Sequence, residues 1–502
     1  MLDPQGWLWR QRIVSVVAAA LLLAALLAGL LLWWRPWQEP PPPAPCGEGM
    51  TLIQTGATQV CVGINIASTA FRSNDPLAEL EARIATLNAG VSGDFATIVL
   101  LDNMTPDPGA DSITIQAVRH EIEGAITAIN RANTTSIASG QVPKLKLMLA
   151  NWGSDAAGWA QAVDAIKKTV PTQHITAVTG ITQSLVNTRN AVAALAPDLV
   201  TVSSLVTADD MGIDKDGTPL PGFFRVSPTN SDEAAAAANY IAGHYHRILV
   251  LSDVNRQNTY AKTLSDAFLH QPGMQNVHRA SYESPDPGLV PRLDYVTTQF
   301  ARMHSTICAD RPDLIYFAGR GADLRSFLTV LGEAGACGLG PIDIITGDSG
   351  SYLVGQPLPP SQTVPVRVFY TGVAAPGQWG GNPSDERDNY QKFLQAFTAT
   401  FDERDLDDGY AIMSHDAVLT AATAIRDAQP HPTRDPSTVR SFFLQFNCTK
   451  WIPGASGKIV FKDSHVPANK AIPIMQVQPD GVPHQQALVW STGQPFNPNT
   501  TC

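Results

Sequence analysis

From Asp94 onward, short apolar runs alternate with segments of helical periodicity, and the alternation occurs twice. The first round places strands at Ala96–Leu101, Lys144–Ala150, Ile175–Thr179 and Leu199–Val202, with helices at Thr114–Arg131, Ala157–Lys168 and Leu185–Leu195 between them. The second places strands at Arg247–Leu251, Leu314–Phe317, Ile342–Thr346 and Val366–Thr371, and helices at Thr259–Leu269, Tyr295–Ala309 and Ala322–Ala336. Strands of four to seven residues that are mostly apolar are buried on both faces, and the helices between them supply the cover. The order predicts two α/β lobes with parallel sheets and a crevice at the carboxyl ends of the strands, where such sheets bind ligands.

The segment before Asp94 reads differently. An uncharged run from Ile13 to Trp34 lies between Arg12 and Arg35. At ~1.5 Å per residue it is about 33 Å long, enough to cross the hydrocarbon of a bilayer. Trp7 and Trp9 precede it and Trp33, Trp34 and Trp37 follow, as aromatic belts do at both interfaces. The run is too long for a signal peptide and lacks a small-residue cleavage site, so it is expected to be an uncleaved anchor. Residues 1–12 would be a cytoplasmic stub and residues 35–45, which contain EPPPPAP, an extended polyproline stalk. Residues 46–93 hold a predicted hairpin, Met50–Ile64, and an amphipathic helix, Pro76–Ala89, and are expected to form a small cap.

All six cysteines lie beyond the anchor, with no CxxC spacing and no nearby histidine ligands. An even set of this kind indicates disulfides in an oxidising compartment rather than a zinc site, which puts the body outside the cell membrane. Of the connectivities open to six cysteines, nearest-neighbour pairing is taken: Cys46 with Cys61, Cys308 with Cys337, and Cys448 with Cys502. Composition is that of a globular protein, 44% hydrophobic and 16% charged, and the net charge of -11 excludes a polyanion-binding surface, so no nucleic-acid partner is expected.

Four segments, in order, carry a resemblance: Gly124–Asn130 (GAITAIN), Gly222–Asn230 (GFFRVSPTN), Asp313–Gly350, and Gly454–Phe461 (GASGKIVF). With them the chain resembles the type I periplasmic solute-binding proteins, in particular the branched-chain amino-acid-binding, leucine-binding-protein-like group of ABC transporter receptors. The resemblance implies a two-lobed fold with residues 94–231 and 373–430 in lobe 1, residues 232–372 and 431–490 in lobe 2, and residues 491–502 as a tail tied by Cys502. It implies hinging at Thr229–Asp232 and at two later crossings, closure around a small, amino-acid-like ligand, and a permease or other membrane protein as partner. A ligand-sensing or protein-interaction ectodomain could use the same fold.

In that family the first lobe holds the ligand carboxylate through loop hydroxyls and backbone N–H groups, and the second answers the ammonium with a carboxylate. Burying a zwitterion requires charge-assisted bonds of both signs. The matching ligand-binding positions are Thr182, Ser184, Ser203, Ser204 and Thr207 in lobe 1, and Tyr260, Arg320 and Asp348 in lobe 2. Arg320 departs from the family, whose position is aromatic or small, and points to an extra acidic group on the ligand or to a bridge between the lobes. No cofactor, metal site or catalytic residue is expected. Gly347–Gly350 (GDSG) copies the nucleophile tetrapeptide of chymotrypsin-like proteases but follows a strand in an α/β pattern, without the partners of a triad. His120-Glu121 lacks the second histidine of a zinc protease. His244 and His246 could share one face of a strand and bind metal, but a solvated pair at a lobe entrance is expected, and Asp405, Asp407 and Asp408 are expected to be a solvated turn, since no acidic twelfth position completes a calcium loop.

Overall fold

The structure is a computed structural model. It describes residues 46–501 apart from 56–57, 68, 287–291, 334–336, 338, 362–363, 382–383, 429–435 and 462–464, together with Val17, Leu23 and Leu26. The expected stub, anchor and stalk therefore lie outside the described residues, as does Cys502. Among the described residues no helix is long and apolar enough to cross a membrane.

The first sheet is built from β1 (Met50–Thr55), β2 (Thr58–Ile64), β3 (Phe95–Asp102), β4 (Lys144–Asn151), β5 (Ile175–Gly180), β6 (Val200–Ser203) and β7 (Phe223–Arg225), in the order β1-β2-β4-β3-β5-β6-β7. Helices α1 (Ala78–Ala89), α2 (Ile115–Thr134), α3 (Trp159–Gln173) and α4 (Val186–Leu195) alternate with these strands. The second round supplies α5 (Asn230–Ile241), β8 (Ile248–Asp253), α6 (Thr259–Leu269), β9 (His278–Tyr282), α7 (Arg292–Asp310), β10 (Leu314–Ala318), α8 (Gly321–Glu333), β11 (Ile342–Thr346) and β12 (Val366–Thr371). After α9 (Asp385–Thr398), α10 (Tyr410–Asp427), α11 (Pro436–Phe443) and the short β13 (Ile452–Gly454) and β14 (Gly457–Ile459) come β15 (Ala471–Val477), β16 (Pro483–Trp490) and a last helical turn, α12 (Pro498–Thr501). The second sheet runs β16-β15-β12-β11-β10-β8-β9.

Each sheet is thus a parallel set with an antiparallel hairpin on one edge. The first lobe takes its hairpin from residues 50–64 and the second from residues 471–490. Residues 46–93 are accordingly part of lobe 1 and not a separate cap: β2 pairs with β4 at Gly63 and Ile64, and Leu77, Leu80 and Ile84 enter the lobe 1 core. Where β2 peels away, Asn88 and Asn133 seal the edge of β4, each exchanging two bonds with the backbone of Leu147 and Leu145 respectively, which blunts an edge that could otherwise pair with another chain. Cys46 is bonded to Cys61 and Cys308 to Cys337. Cys448 is also disulfide-bonded, to a partner outside the described residues.

A second correction concerns residues 431–490. Val439, Phe443, Phe446, Ile452, Ile459 and Phe461 lie in the lobe 1 core, with Phe443 stacked on Phe224 at 4.5 Å between centroids. Only β15 and β16 join lobe 2. The crossings between lobes fall between Arg225 and Asn230, just after Thr371, and between Phe461 and Ala471. At the first, Thr229 and Asp232 form a capping box, Asp232 N–H on Thr229 Oγ1 and Thr229 N–H on Asp232 Oδ2, which fixes the start of α5. In α2, a Cβ on Gly124 would collide with the carbonyl of Ala411; glycine is what lets α10 lie against α2, and that contact seats the returning chain on lobe 1.

Candidate functional site

The carboxyl ends of the parallel strands in the two lobes face each other. In lobe 1, β5 leads into the loop 181–185 and β6 into 204–208. Arg225, fully buried, donates from Nη1 to the carbonyls of Val206 and Ala208, at 3.2 and 2.8 Å, so the arginine of the GFFRVSPTN segment shapes the second loop and does not itself reach the cleft.

Three of the expected ligand residues turn inward. Thr182 donates to Asp102 Oδ2 at 2.7 Å. Ser204 Oγ lies 3.0 Å from Glu121 Oε1, and Ser203 donates to the carbonyl of Ile181 and accepts from Val206 N–H. Asp102 and Glu121 are fully buried side by side. Burial raises both pKa values; Asp102 pushes Glu121 further, well above the carboxyl range, while the bond with Glu121 lowers Asp102, and such a pair holds a proton between its members. The hydroxyls of Thr182 and Ser204 thus serve an acid pair inside lobe 1. Glu121 and Asp102 were not identified from the sequence as partners, because α2 and β3 meet only in the fold.

The other five expected residues are brought together across the lobes. Thr207 donates to Asp348 Oδ1 at 3.1 Å. Behind Asp348 sits Glu233 of α5, fully buried, whose Oε2 accepts from Asp348 N–H at 2.8 Å and from Thr371 at 2.7 Å. Burial raises Asp348 to about 6 and, with the charge of Asp348, lifts Glu233 well above the carboxyl range. Tyr260 OH accepts from Ser349 N–H at 3.2 Å and, with Thr207 and Arg320, partly offsets the effect of burial on Asp348. The carbonyl oxygen of Ser184 receives three lobe 2 donors: Arg320 Nη2 at 2.6 Å, Thr259 Oγ1 at 3.1 Å and Tyr260 N–H at 3.4 Å. Arg320 also lies over the Tyr260 ring, 5.1 Å from its centroid.

Beside these contacts a narrow cleft remains, about 20 Å³ in volume, lined among others by Ser112, Asp155, Gln183, Asn258, Arg292 and Arg320. That is room for about one water, so a solute enters only when the lobes part. Asp155, Asn258 and Arg292 were missed in the sequence, although Asp155 follows β4 and Asn258 follows β8, positions equivalent to the loops that were chosen. Arg292 is held by Asp323 in a two-pronged ion pair at 2.8 and 2.7 Å. Burial and the nearby Asp111 raise Asp155 to about 7.

Next to the cleft, a recess of about 670 Å³ opens between α2 and residues 351–356, with Ile113, Tyr352, Val354 and Tyr410 in its wall. The turn 405–408 borders it and is not a simple solvated turn. Asp408 is buried and lies 2.7 Å from His120 Nδ1, with Asp405 3.4 Å from Nε2. His244 and His246 are exposed on the turn before β8 and not on a strand. In the GDSG segment Ser349 Oγ accepts from Gly321 N–H at 2.9 Å and so caps α8. His304 approaches Cys308 and Cys337, but both sulfurs are consumed in a disulfide, which leaves no thiolate for a metal.

Two sheets with opposed loops at their strand ends define the class, that of two-lobed α/β binding proteins. A family model for periplasmic binding proteins matches residues 105–482, and the chain belongs to that family. No curated protein sequence matches the chain. Among solved structures it is similar to a leucine-binding protein from Thermotoga maritima (17% identity, 78% of this chain and 98% of that chain, TM-score 0.56). It is likewise similar to a branched-chain amino acid transporter substrate-binding protein from Streptococcus pneumoniae in complex with isoleucine (16%, 79% and 99%, 0.58). A third is a solute-binding protein of an ABC transporter from Rhodopseudomonas palustris in complex with p-hydroxybenzoic acid (13%, 80% and 98%, 0.57). Family and neighbours are solute-binding proteins and not enzymes.

Proposed function

We propose that this chain captures a small polar solute, amino-acid-like in size, between its lobes on the outer side of the membrane and presents the closed form to an ABC permease. The observation that carries the reading is the convergence of loops from both sheets on one spot, with Ser184 and Thr207 of lobe 1 against Arg320 and Asp348 of lobe 2. The apolar run Ile13–Trp34 serves as a single-pass anchor with the N-terminus cytoplasmic, and the proline-rich stalk holds the body off the headgroups. Closure expels water and strengthens each polar contact inside.

A thermal-shift screen of the full chain in detergent, against amino acids, aromatic and aliphatic acids, amides and sugars, tests this. A solute at a hundredfold excess over its Kd stabilises by about 2.7 kcal/mol. Stabilisation by one chemical class, lost on altering Asp348 or Arg320, supports the reading. A flat response across the panel would move the function to protein interaction. Fractionation tests the anchor: the chain should stay with membranes after a carbonate wash, and deletion of residues 13–34 should release it.

A further inference from the structure

Arg320 is more than nine-tenths buried, with 7% of its surface exposed. A guanidinium carries five N–H donors, yet among the described residues Arg320 gives one hydrogen bond, to Ser184 O, and forms no ion pair. The acidic groups near it do not neutralise it. Asp155 faces it from lobe 1 beyond ion-pair distance and lies beside Asp111, to whose Oδ1 its N–H donates; Asp348 is engaged by Thr207; Asp323 belongs to Arg292. A buried, unpaired charge costs several kcal/mol unless a partner arrives.

The same spot gathers other donors. The first turn of α6, whose N-terminal end carries partial positive charge, points Tyr260 N–H and the Thr259 hydroxyl at the oxygen that Arg320 binds. A helix N-terminus and a buried guanidinium converge on a neutral carbonyl oxygen, an acceptor weaker than the pair can serve. By contrast, the carboxylate at which the family answers an ammonium, Asp348, already has its partners. The cleft thus holds one guanidinium with spare donors, while of its carboxylates Asp348 is engaged by Thr207 and Asp155, raised to about 7 by burial and Asp111, is only partly ionised and makes the weaker demand for a positive charge.

We infer that the solute is a carboxylate lacking an α-ammonium group, and that Arg320 and the first turn of α6 take its oxygens in the place held here by Ser184 O. This rests on the solute-receptor reading above and narrows it. The single guanidinium and single helix turn match the one charge of a carboxylate better than the higher charge of phosphate.

Calorimetric titration of the full chain in detergent tests it with probes that differ only in charge: 4-methylvalerate, leucine, isoamylamine and 4-methylvaleramide, then 4-hydroxybenzoate against 4-hydroxybenzamide, and inorganic phosphate. At least one simple carboxylate is expected to bind, its amide and amine counterparts at least tenfold more weakly, and leucine more weakly than 4-methylvalerate. Arg320→Gln should lower carboxylate affinity about 100-fold with no fall in Tm, since it removes an unpaired charge; a purely structural arginine would lower Tm. Arg320→Lys, which keeps charge but loses the fork, should lower affinity about tenfold and serves if the glutamine variant does not fold. Tighter binding of leucine, an amide, an amine or phosphate would overturn the inference and leave the receptor reading standing. So would unchanged affinity in Arg320→Gln. Absence of heat with every probe would overturn both.

Discussion

Asp416 and Arg320 are both buried charges, and their surroundings differ in one respect. Asp416, at the heart of lobe 1, has every oxygen answered. Oδ1 accepts from His415 Nδ1 and Ala455 N–H, each at 2.8 Å, and Oδ2 from Ser456 N–H at 2.8 Å and the Ser456 hydroxyl. Lys470 Nζ in turn reaches Ser456 Oγ at 2.7 Å, and Arg131 lies 2.7 Å from His415 Nε2. With Nδ1–H given to Asp416 and Nε2 accepting from Arg131, His415 is neutral, and burial lowers its pKa accordingly. The GASGKIVF segment is therefore a clamp: its turn wraps Asp416 and ties α10 to the start of β15. Arg320 has one partner and spare donors facing a cleft. A saturated buried charge serves the fold; an unsaturated one marks where a ligand is expected.

The contrast breaks first at Asp416. Asp416→Ala strands Lys470 and the amides of residues 455 and 456, and is expected to cost about 3–5 kcal/mol, read as a lower urea midpoint; a loss under about 1 kcal/mol would mean that saturation is no guide to structural weight. An intermediate effect is expected at His120, which is only partly shielded from solvent. Burial opposes its charge, but Asp408 and Asp405 prevail and raise its pKa to about 10. The folded state then binds the proton more tightly than the unfolded one, so the stabilisation is complete below about pH 6.5, the value for a free histidine, and is lost as pH rises toward 10. His120→Ala should cost about 2 kcal/mol at pH 7 and remove this alkaline loss. An unchanged pH profile of Tm above 7 would show that the ion pair contributes nothing.

The sheets were largely legible in the sequence, and the reason is local. Leu314–Phe317 is a continuous apolar run, Ile342–Thr346 and Val366–Thr371 are interrupted chiefly by Asp343 and Arg367, which pair with each other, and α6 begins as expected because Asn258 caps its N-terminus, accepting from Ala261 N–H. What failed was whatever depends on return contacts. Nothing in residues 436–461 says which lobe they join, since Phe443 declares itself only against Phe224. Residues 46–93 looked like a cap because pairing of β2 with β4 is invisible in the chain order. At the site, choosing hydroxyls in strand-end loops could not tell Thr207, which reaches across to Asp348, from Thr182 and Ser204, whose direction is set by Asp102 and Glu121 buried beneath, or from Ser184, whose hydroxyl accepts from Ala208 N–H while its carbonyl meets lobe 2. Arg320 stood out as a departure from the family pattern, and the structure gives that departure its physical content.

The finest test lies at Asp348, between the two extremes: partnered by Thr207, yet raised to about 6 by burial. Its folded-state pKa lies above the unfolded value, so the folded chain takes up a proton more readily and stability increases as pH falls from about 7 toward 4. Glu233, shifted in the same direction, adds to that slope. Asp348→Asn keeps an oxygen for Thr207 and removes the Asp348 share of the titration. Its Tm should therefore change less between pH 7 and pH 5 than that of the parent, with part of the slope surviving through Glu233. A variant slope equal to the parent's would place the whole effect on the other raised carboxyls, Glu233, Asp155, Asp102 and Glu121 among them. A parent Tm that falls with acid over this interval would mean that Asp348 is as fully answered in solution as Asp416, and that the boundary between scaffold and site runs on the cleft side of it.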